Sequence, residues 1–397
     1  MRGSIIKRGD SYRVAVSLGK GQDGKYHQHF ETVRGNKKAA DKRLSEIINT
    51  LDNGTFVKPS NQTVADFLRG WLKDYCQANI APHSTQTYEF FIERHIIPAI
   101  GHIPLAELKP QHLAHLYSEK LSNGRRDGKG GLGLRSVRYI HTCLHKALSG
   151  ALKMGLIIRN PADAVEAPKQ NHHEMHIMSE IDMHIFLEMA KSTPYYALFY
   201  TALFTGLRRS EILALRWSDV DLLLCELFIS RTIHQLHNRE IFYGQPKTGK
   251  SKRSVSLSPS NAIVLREHKE AQEKLKQSLG TKISDDDLIF CKYDGKPYLP
   301  DSITHAWSNL AHKSGLNGIR LHDARHTHAS LMLKQGVHPK IVQERLGHAS
   351  IQITLDTYSH VVPGLQQAAA KGFDTVLTNK DNNYAKDLKD YCQIIAN

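Results

Sequence analysis

Polar and apolar residues alternate from Ser11 to Leu18, and again from Tyr26 to Val33 after the turn residues Gly19 to Gly24. A period of two on both sides of a glycine-rich turn predicts a hairpin. The period then changes. Ala39, Ala40, Leu44, Ile47 and Ile48 recur at helical spacing over 37–50, and Asn53-Gly54 supplies a stop. Residues 57–62 read as a linker, rich in turn formers. From Thr63 to Pro168 the pattern is helical throughout. Val64, Phe67, Leu68, Trp71, Leu72 and Tyr75 form the first stripe, and further helices are expected near 84–95, 109–122 and 135–154. A second linker near 170–174 precedes a mixed block that runs to about 377. It opens helical, shows strands near 226–234 and 254–257, and returns to helices near 258–278, 301–314, 323–335 and 339–346. The tail after Thr378 is polar and predicts no element. The fold class expected is multidomain, mainly α with small β-sheets.

Composition narrows the partner. The chain has 397 residues, which suggests two or three domains, and a formal charge of +14. A surplus of that size favours a polyanion, either nucleic acid or an acidic membrane surface. No apolar run approaches the ~18 residues needed to span a bilayer. The start, Met1-Arg2-Gly3-Ser4, leads into no apolar signal core, so the expected location is cytoplasmic. Five scattered cysteines without a C-x-x-C pair argue against a disulfide framework or a thiolate zinc site.

Four short motifs carry candidate chemistry. Gly244 to Ser251 matches the phosphate-loop pattern G-x-x-x-x-G-K-S. That loop works only between a buried strand and a helix. Lys252 to Leu257 alternates like a strand instead, which predicts a basic hairpin with Lys247 to Arg253 at its tip. Thr205-Gly206-Leu207-Arg208, followed by Glu211, places an arginine and a carboxylate one helical turn apart. Alone this reads first as a structural ion pair. His322 and Arg325 share a helix face, where guanidinium and imidazole suit a phosphate. A metal on His322 and His326 is the rival reading, disfavoured because no carboxylate or cysteine completes the ligand set. Leu346-Gly347-His348 precedes Tyr358 by ten residues; alone, such a tyrosine reads as packing.

The set says more than its parts. Transesterification of a DNA phosphodiester without a metal needs guanidinia for the non-bridging oxygens, an acid for the leaving 5′-oxygen, a proton acceptor and a nucleophile. Arg208, Arg325, Lys247, His322, His348 and Tyr358 supply those types. T-G-x-R-x-x-E (Thr205 to Glu211), K-T-G (Lys247 to Gly249), H-x-x-R (His322 to Arg325), L-G-H (Leu346 to His348) and the Tyr358 that follows, in this order and spacing, resemble the tyrosine recombinases, the phage-integrase family, over roughly residues 175–375. The resemblance implies that Tyr358 attacks the scissile phosphate to form a 3′-phosphotyrosyl link, while Arg208 and Arg325 clamp it. It implies that Lys247 protonates the leaving oxygen, His322 assists proton transfer at Tyr358, His348 bonds a non-bridging oxygen and Glu211 supports the set. A tyrosinate at pH 7 costs about 4 kcal/mol for an unperturbed phenol, which cationic neighbours could offset.

The same resemblance divides the chain into four segments: 1–56, an arm-type DNA-binding domain of three strands and a helix; 61–169, a helical core-binding domain; 175–377, the catalytic domain; and 378–397, a tail. DNA contacts are expected from Arg13, Lys25, Arg125, Arg126, Lys129, Lys250 and Arg253. The implied partners are double-stranded DNA with core-type and arm-type attachment sites and three further copies of the chain in a tetramer. An excisionase and a host DNA-bending protein are accessory candidates. No cofactor, metal or membrane is expected, since each broken phosphodiester is exchanged for another. The implied activity is integration or excision of a phage or integrative conjugative element in a bacterial host. A type IB topoisomerase-like nicking-closing enzyme, a non-catalytic DNA-binding protein and a P-loop NTPase are the alternatives.

Overall fold

Val14 and Val16 point to one face of their strand, and the amphipathic helix that follows closes over them through Ala40 and Ile47. In this computed structural model, which describes residues 3–20, 24–53, 61–125, 127–169, 176–236, 240–245, 252–358, 370–371 and 373–374, three strands form the first sheet. β1 (Gly3–Arg8), β2 (Ser11–Lys20) and β3 (Tyr26–Arg34) are antiparallel in that order, and α1 (Lys37–Asp52) covers one face. Asn36 caps α1 by accepting from the Ala39 amide at 2.9 Å. The pairings Ile6↔Arg13 and Ala15↔Phe30 put Ile6, Arg13 and Phe30 on the opposite, uncovered face, as a period of two requires.

The helical pattern after Thr63 folds as expected, around its own core. Thr63 and Asp66 form a reciprocal capping box at the start of α2 (Val64–Trp71). A π turn (Leu72–Cys76) carries the chain into α3 (Gln77–Asn79). α4 (Pro82–Phe91), a second π turn (Ile92–Ile96) and α5 (Ile97–Ile100) follow, then α6 (Pro110–Asn123) and α7 (Leu134–Lys153). Leu68, Ile92, Ile96, Leu113, Ile140 and Leu144 are fully buried among them. The sheet module and this helical block belong to one compact unit, Met1–His172.

The second unit, His173–Asn397, holds the motifs. α8 (Glu180–Ala190) is capped by Ser179, and α9 (Tyr196–Thr205) is apolar on nearly every side and correspondingly buried. Phe186 lies 4.3 Å and Phe199 5.1 Å from the Trp307 ring, between centroids, at the centre of this core. α10 (Arg209–Ile212) leads into β4 (Val220–Asp221), β5 (Glu226–Ile229), β6 (Thr232–Gln235), β7 (Ile241–Gly244) and β8 (Arg253–Ser256). α11 (Pro259–Ser278), α12 (Pro300–Lys313), α13 (Leu321–Lys334), α14 (Pro339–Leu346) and α15 (Ile351–Tyr358) complete it.

Two strand expectations change. The single strand expected over 226–234 is two, broken at Ser230-Arg231. β5 pairs with β4 and β8, whereas β6 pairs with β7 in a separate ribbon. Arg231 turns inward at the break, donating to the Ala214 carbonyl at 2.8 Å. It follows that β7 and β8 are not the two arms of one hairpin. The chain crosses from one sheet to the other between them, and 246–251, including Lys247 and Lys250, lie outside the described residues. Lys252 leads directly into β8, so the phosphate-loop pattern is not followed by a helix.

Candidate active site

The glycines of two motifs end two helices. Gly206 (φ +65°) caps α9 and Gly347 (φ +66°) caps α14, both left-handed, the conformation glycine adopts without penalty. A helix end leaves carbonyls without internal partners, at the negative pole of the helix. Here those carbonyls meet guanidinia. Arg325 donates to Gly206 O at 2.9 Å and to Leu346 O at 2.6 Å. Arg208 donates to Gly347 O at 3.1 Å, and Arg345 to Phe204 O at 3.1 Å. The spacings T-G-x-R and L-G-H thus place two helix C-termini around one arginine cluster.

One carboxylate anchors the cluster. Glu211 is 1 % exposed. It accepts from the Arg208 guanidinium at 2.7 Å and its amide at 2.9 Å, and from Arg253 at 3.0 and 3.2 Å. Burial alone would raise its pKa, but Arg253 and then Arg208 hold it below the ordinary carboxylate value. Arg325 is pushed down to about 9 by burial and then by the Arg208 charge, so it remains cationic at neutral pH. Four guanidinia, those of Arg208, Arg253, Arg325 and Arg345, against one carboxylate leave an excess of positive charge. Arg208 is partly exposed, its side chain 35 % accessible, and it opens the cluster to an incoming anion.

Tyr358, the last residue of α15, is fully buried against this cluster. Its Oη lies 2.9 Å from His326 Nδ1, and its ring stacks on His348 with centroids 6.3 Å apart. Burial raises the phenol pKa to about 12, opposed by the charges of Arg325 and then Arg208. Forming the anion at pH 7 would cost roughly 7 kcal/mol, so attack needs a proton acceptor rather than a standing tyrosinate. His348 Nδ1 is 2.8 Å from Thr354 Oγ1, and burial, then Arg325 and Arg208, depress its pKa to about 3. Both histidine rings are therefore neutral near pH 7, since the pKa of His326 is also lowered, chiefly by burial.

Five of the six catalytic candidates, Arg208, His322, Arg325, His348 and Tyr358, thus lie in the described residues. Of these, His322 is the outlier. It stands at the exposed edge, its ring against that of His326 at 4.9 Å, and the hydrogen bond to the phenol belongs to His326. Burial, then His326 and Arg325, lower the pKa of His322 to about 4, and the Asp323 charge opposes them.

Among the proposed DNA contacts, Arg253 is corrected. It is buried in β8 and committed to Glu211 and, at 2.7 Å, to the Arg345 carbonyl, so it supports the cluster from behind. Arg13 lies on the uncovered sheet face, 4.1 Å above the Phe30 ring. Lys25 and Lys129 are exposed, and Arg125 pairs with Asp127 at 2.7 Å. Arg126 lies outside the described residues.

Sequence reasoning missed three further participants. His326 was weighed only as a metal ligand. Arg345 and His328 were not weighed, yet Arg345 donates to His328 Nε2 at 3.0 Å while His328 Nδ1 lies 3.0 Å from Leu203 O. No group of metal-ligating side chains occurs among the described residues, and none of their helices is long and apolar enough to cross a membrane.

Residues 175–363 match the Phage integrase family, and residues 63–121 match the Phage integrase, N-terminal SAM-like domain. The chain is 31 % identical over 312 residues to ICEBs1 integrase of Bacillus subtilis, covering 76 % of this chain and 80 % of that one. It is 26 % identical over 379 residues to a XerC-like tyrosine recombinase of Caldanaerobacter subterraneus, covering 91 % and 95 %. The fold is shared with the Tn1549 transposon integrase in complex with a circular intermediate DNA: TM-score 0.64, 18 % identity, 79 % of this chain and 99 % of that one. It is shared also with a lambda integrase tetramer bound to a Holliday junction: TM-score 0.55, 18 % identity, 89 % and 93 %. The chain belongs to the phage integrase family of tyrosine recombinases, enzymes of site-specific recombination.

Proposed function

We propose that the chain integrates and excises a mobile element by cleaving and rejoining DNA through a 3′-phosphotyrosyl link on Tyr358. The observation that supports this most is the meeting of one buried phenol with two guanidinia and two neutral imidazoles supplied by separate segments of one chain. Arg208 and Arg325 neutralise the non-bridging oxygens, where charge grows as the fifth bond to phosphorus forms. In the tautomer whose Nδ1 accepts from Thr354, His348 carries its proton on Nε2 and can donate to the same oxygens. Lys247 is the acid for the departing 5′-oxygen. Glu211, with Arg253, holds Arg208 in place.

The partners follow from charge and from the relatives. The tetramer on a Holliday junction seen for lambda integrase is the assembly we assign to this chain. Residues 1–56 take the arm-type sites, with Arg13 and Phe30 on the reading face, and 61–169 and 175–377 take the core-type sites. An excisionase and a host DNA-bending protein are the accessory partners. A nicking-closing topoisomerase role is disfavoured by the sheet-and-helix module at 1–56, basic through Lys7, Arg8, Arg13, Lys20, Lys37 and Lys38, which suits paired-site recognition. Substitution tests the scheme. Tyr358→Phe abolishes the covalent adduct on a nicked duplex and leaves DNA affinity intact, and Lys247→Ala recovers cleavage when the leaving group is a 5′-thiol. An adduct that survives Tyr358→Phe removes that residue from the mechanism.

A further inference from the structure

The phenol has one hydrogen-bonding titratable partner among the described residues, and it is not the histidine that the H-x-x-R spacing selects. His326 Nδ1 stands 2.9 Å from Tyr358 Oη. His322 is one ring further out, in edge contact with His326. His348 lies nearly parallel to the phenol ring, with an interplanar angle of 10°, and its Nδ1 is engaged with Thr354. We propose that His326 accepts the phenolic proton when Tyr358 attacks phosphorus, and returns it when the strand is rejoined. The inference rests on Tyr358 being the nucleophile.

The step balances. The phenol oxygen forms a bond to phosphorus as the bond to the 5′-oxygen breaks, the phenolic proton passes to Nδ1, and the 5′-oxygen takes its proton from a separate donor. In rejoining, a 5′-hydroxyl returns its proton to that donor as its oxygen bonds phosphorus, and the bond from phosphorus to the phenol oxygen breaks as that oxygen recovers the proton from the imidazolium. The surroundings favour an acceptor that starts neutral. From its own helix His326 faces Asp323, which favours protonation, and Arg325 and Arg320, which oppose it; His322 adjoins its ring. From α15 it faces Tyr358, whose other face carries His348. The charges of Arg325 and then Arg208 also act on the phenol.

Single-turnover cleavage of a nicked suicide duplex by the full chain tests this. His326→Asn retains an oxygen near the Nδ1 position, so it keeps a hydrogen bond and loses the base. Expected is a fall of roughly 10²- to 10⁴-fold for both His326→Asn and His326→Ala, on 5′-oxygen and 5′-thio substrates alike, with partial recovery at alkaline pH. His322→Ala should retain an ascending limb on the 5′-thio substrate, because the proposed acceptor is still present. Wild-type rates in His326→Asn would overturn the proposal, because positioning alone would then suffice. So would transfer of the pH-dependent loss to His322→Ala. If a variant melts below the wild type, the wild-type pH profile on the 5′-thio substrate decides: an ascending limb below pH 6.5 supports the proposal and a flat one overturns it. A wild-type adduct on a residue other than Tyr358 would instead defeat the reading on which the proposal stands.

Discussion

Glu211 faces two guanidinia from inside the protein, so its removal leaves charge rather than space. Glu211→Gln should destabilise the chain by about 3–5 kcal/mol in urea melts, as expected when one partner of a buried ionic set is lost. The loss should exceed that for exposed Glu46→Gln, whose pair with Arg43 lies at the surface. The sign with pH follows from the depressed carboxyl. Its contribution is present above the unfolded-state pKa near 4.5 and fades as pH falls through the folded value, so the variant should lose less than the wild type on acidification. At this scale the chemistry of the site was readable and its wiring was not. T-G-x-R-x-x-E fixes Arg208 and Glu211 within one turn. That Glu211 also holds Arg253, 42 positions away, depends on β8 lying beside that turn. His322 and His326 are one turn apart on α13. Which of them meets the phenol depends on how α13 is rotated against α15, a tertiary fact with no local signal.

At the scale of elements, the two left-handed caps bind motif to geometry. A Cβ on Gly347 would stand 2.7 Å from Arg253 Nη1, and one on Gly206 would stand 2.7 Å from Leu346 Cδ2. Gly347→Ala should therefore cost about 1–3 kcal/mol from backbone strain and steric displacement, and lower adduct yield without weakening non-specific DNA binding. Chemical melts and suicide-substrate trapping check the two halves. Acid should weaken the same region. Burial holds His328 and His348 each at about 3, below the unfolded value near 6.5. The unfolded chain thus binds more protons than the folded one in this interval. Stability should fall as pH drops below 6.5, by about 1.4 kcal/mol per pH unit for each histidine. His328→Asn should flatten that slope in thermal melts at pH 4 to 7. Helical periodicity located most of these elements to within a few residues. It could not separate β5 from β6, because the alternation runs on across Ser230-Arg231 while the chain changes sheets.

For the whole molecule, segregation of the charge should separate binding from chemistry. Truncation to residues 57–397 should spare cleavage of core-type duplexes while integration between paired sites falls sharply; equal integration would remove the first sheet from arm-site recognition. Affinity should also drop steeply between 50 and 200 mM salt, as it does when several phosphates are contacted. The most direct test of the convergence of Arg208, Arg325, His348 and Tyr358 on one phosphate is to trap the full chain on a nicked suicide duplex, digest it and map the peptide and nucleotide joined. The account predicts a peptide containing Tyr358 linked to a DNA 3′-phosphate, beside a free 5′-hydroxyl. A link through another side chain, or to a 5′-phosphate, would contradict it.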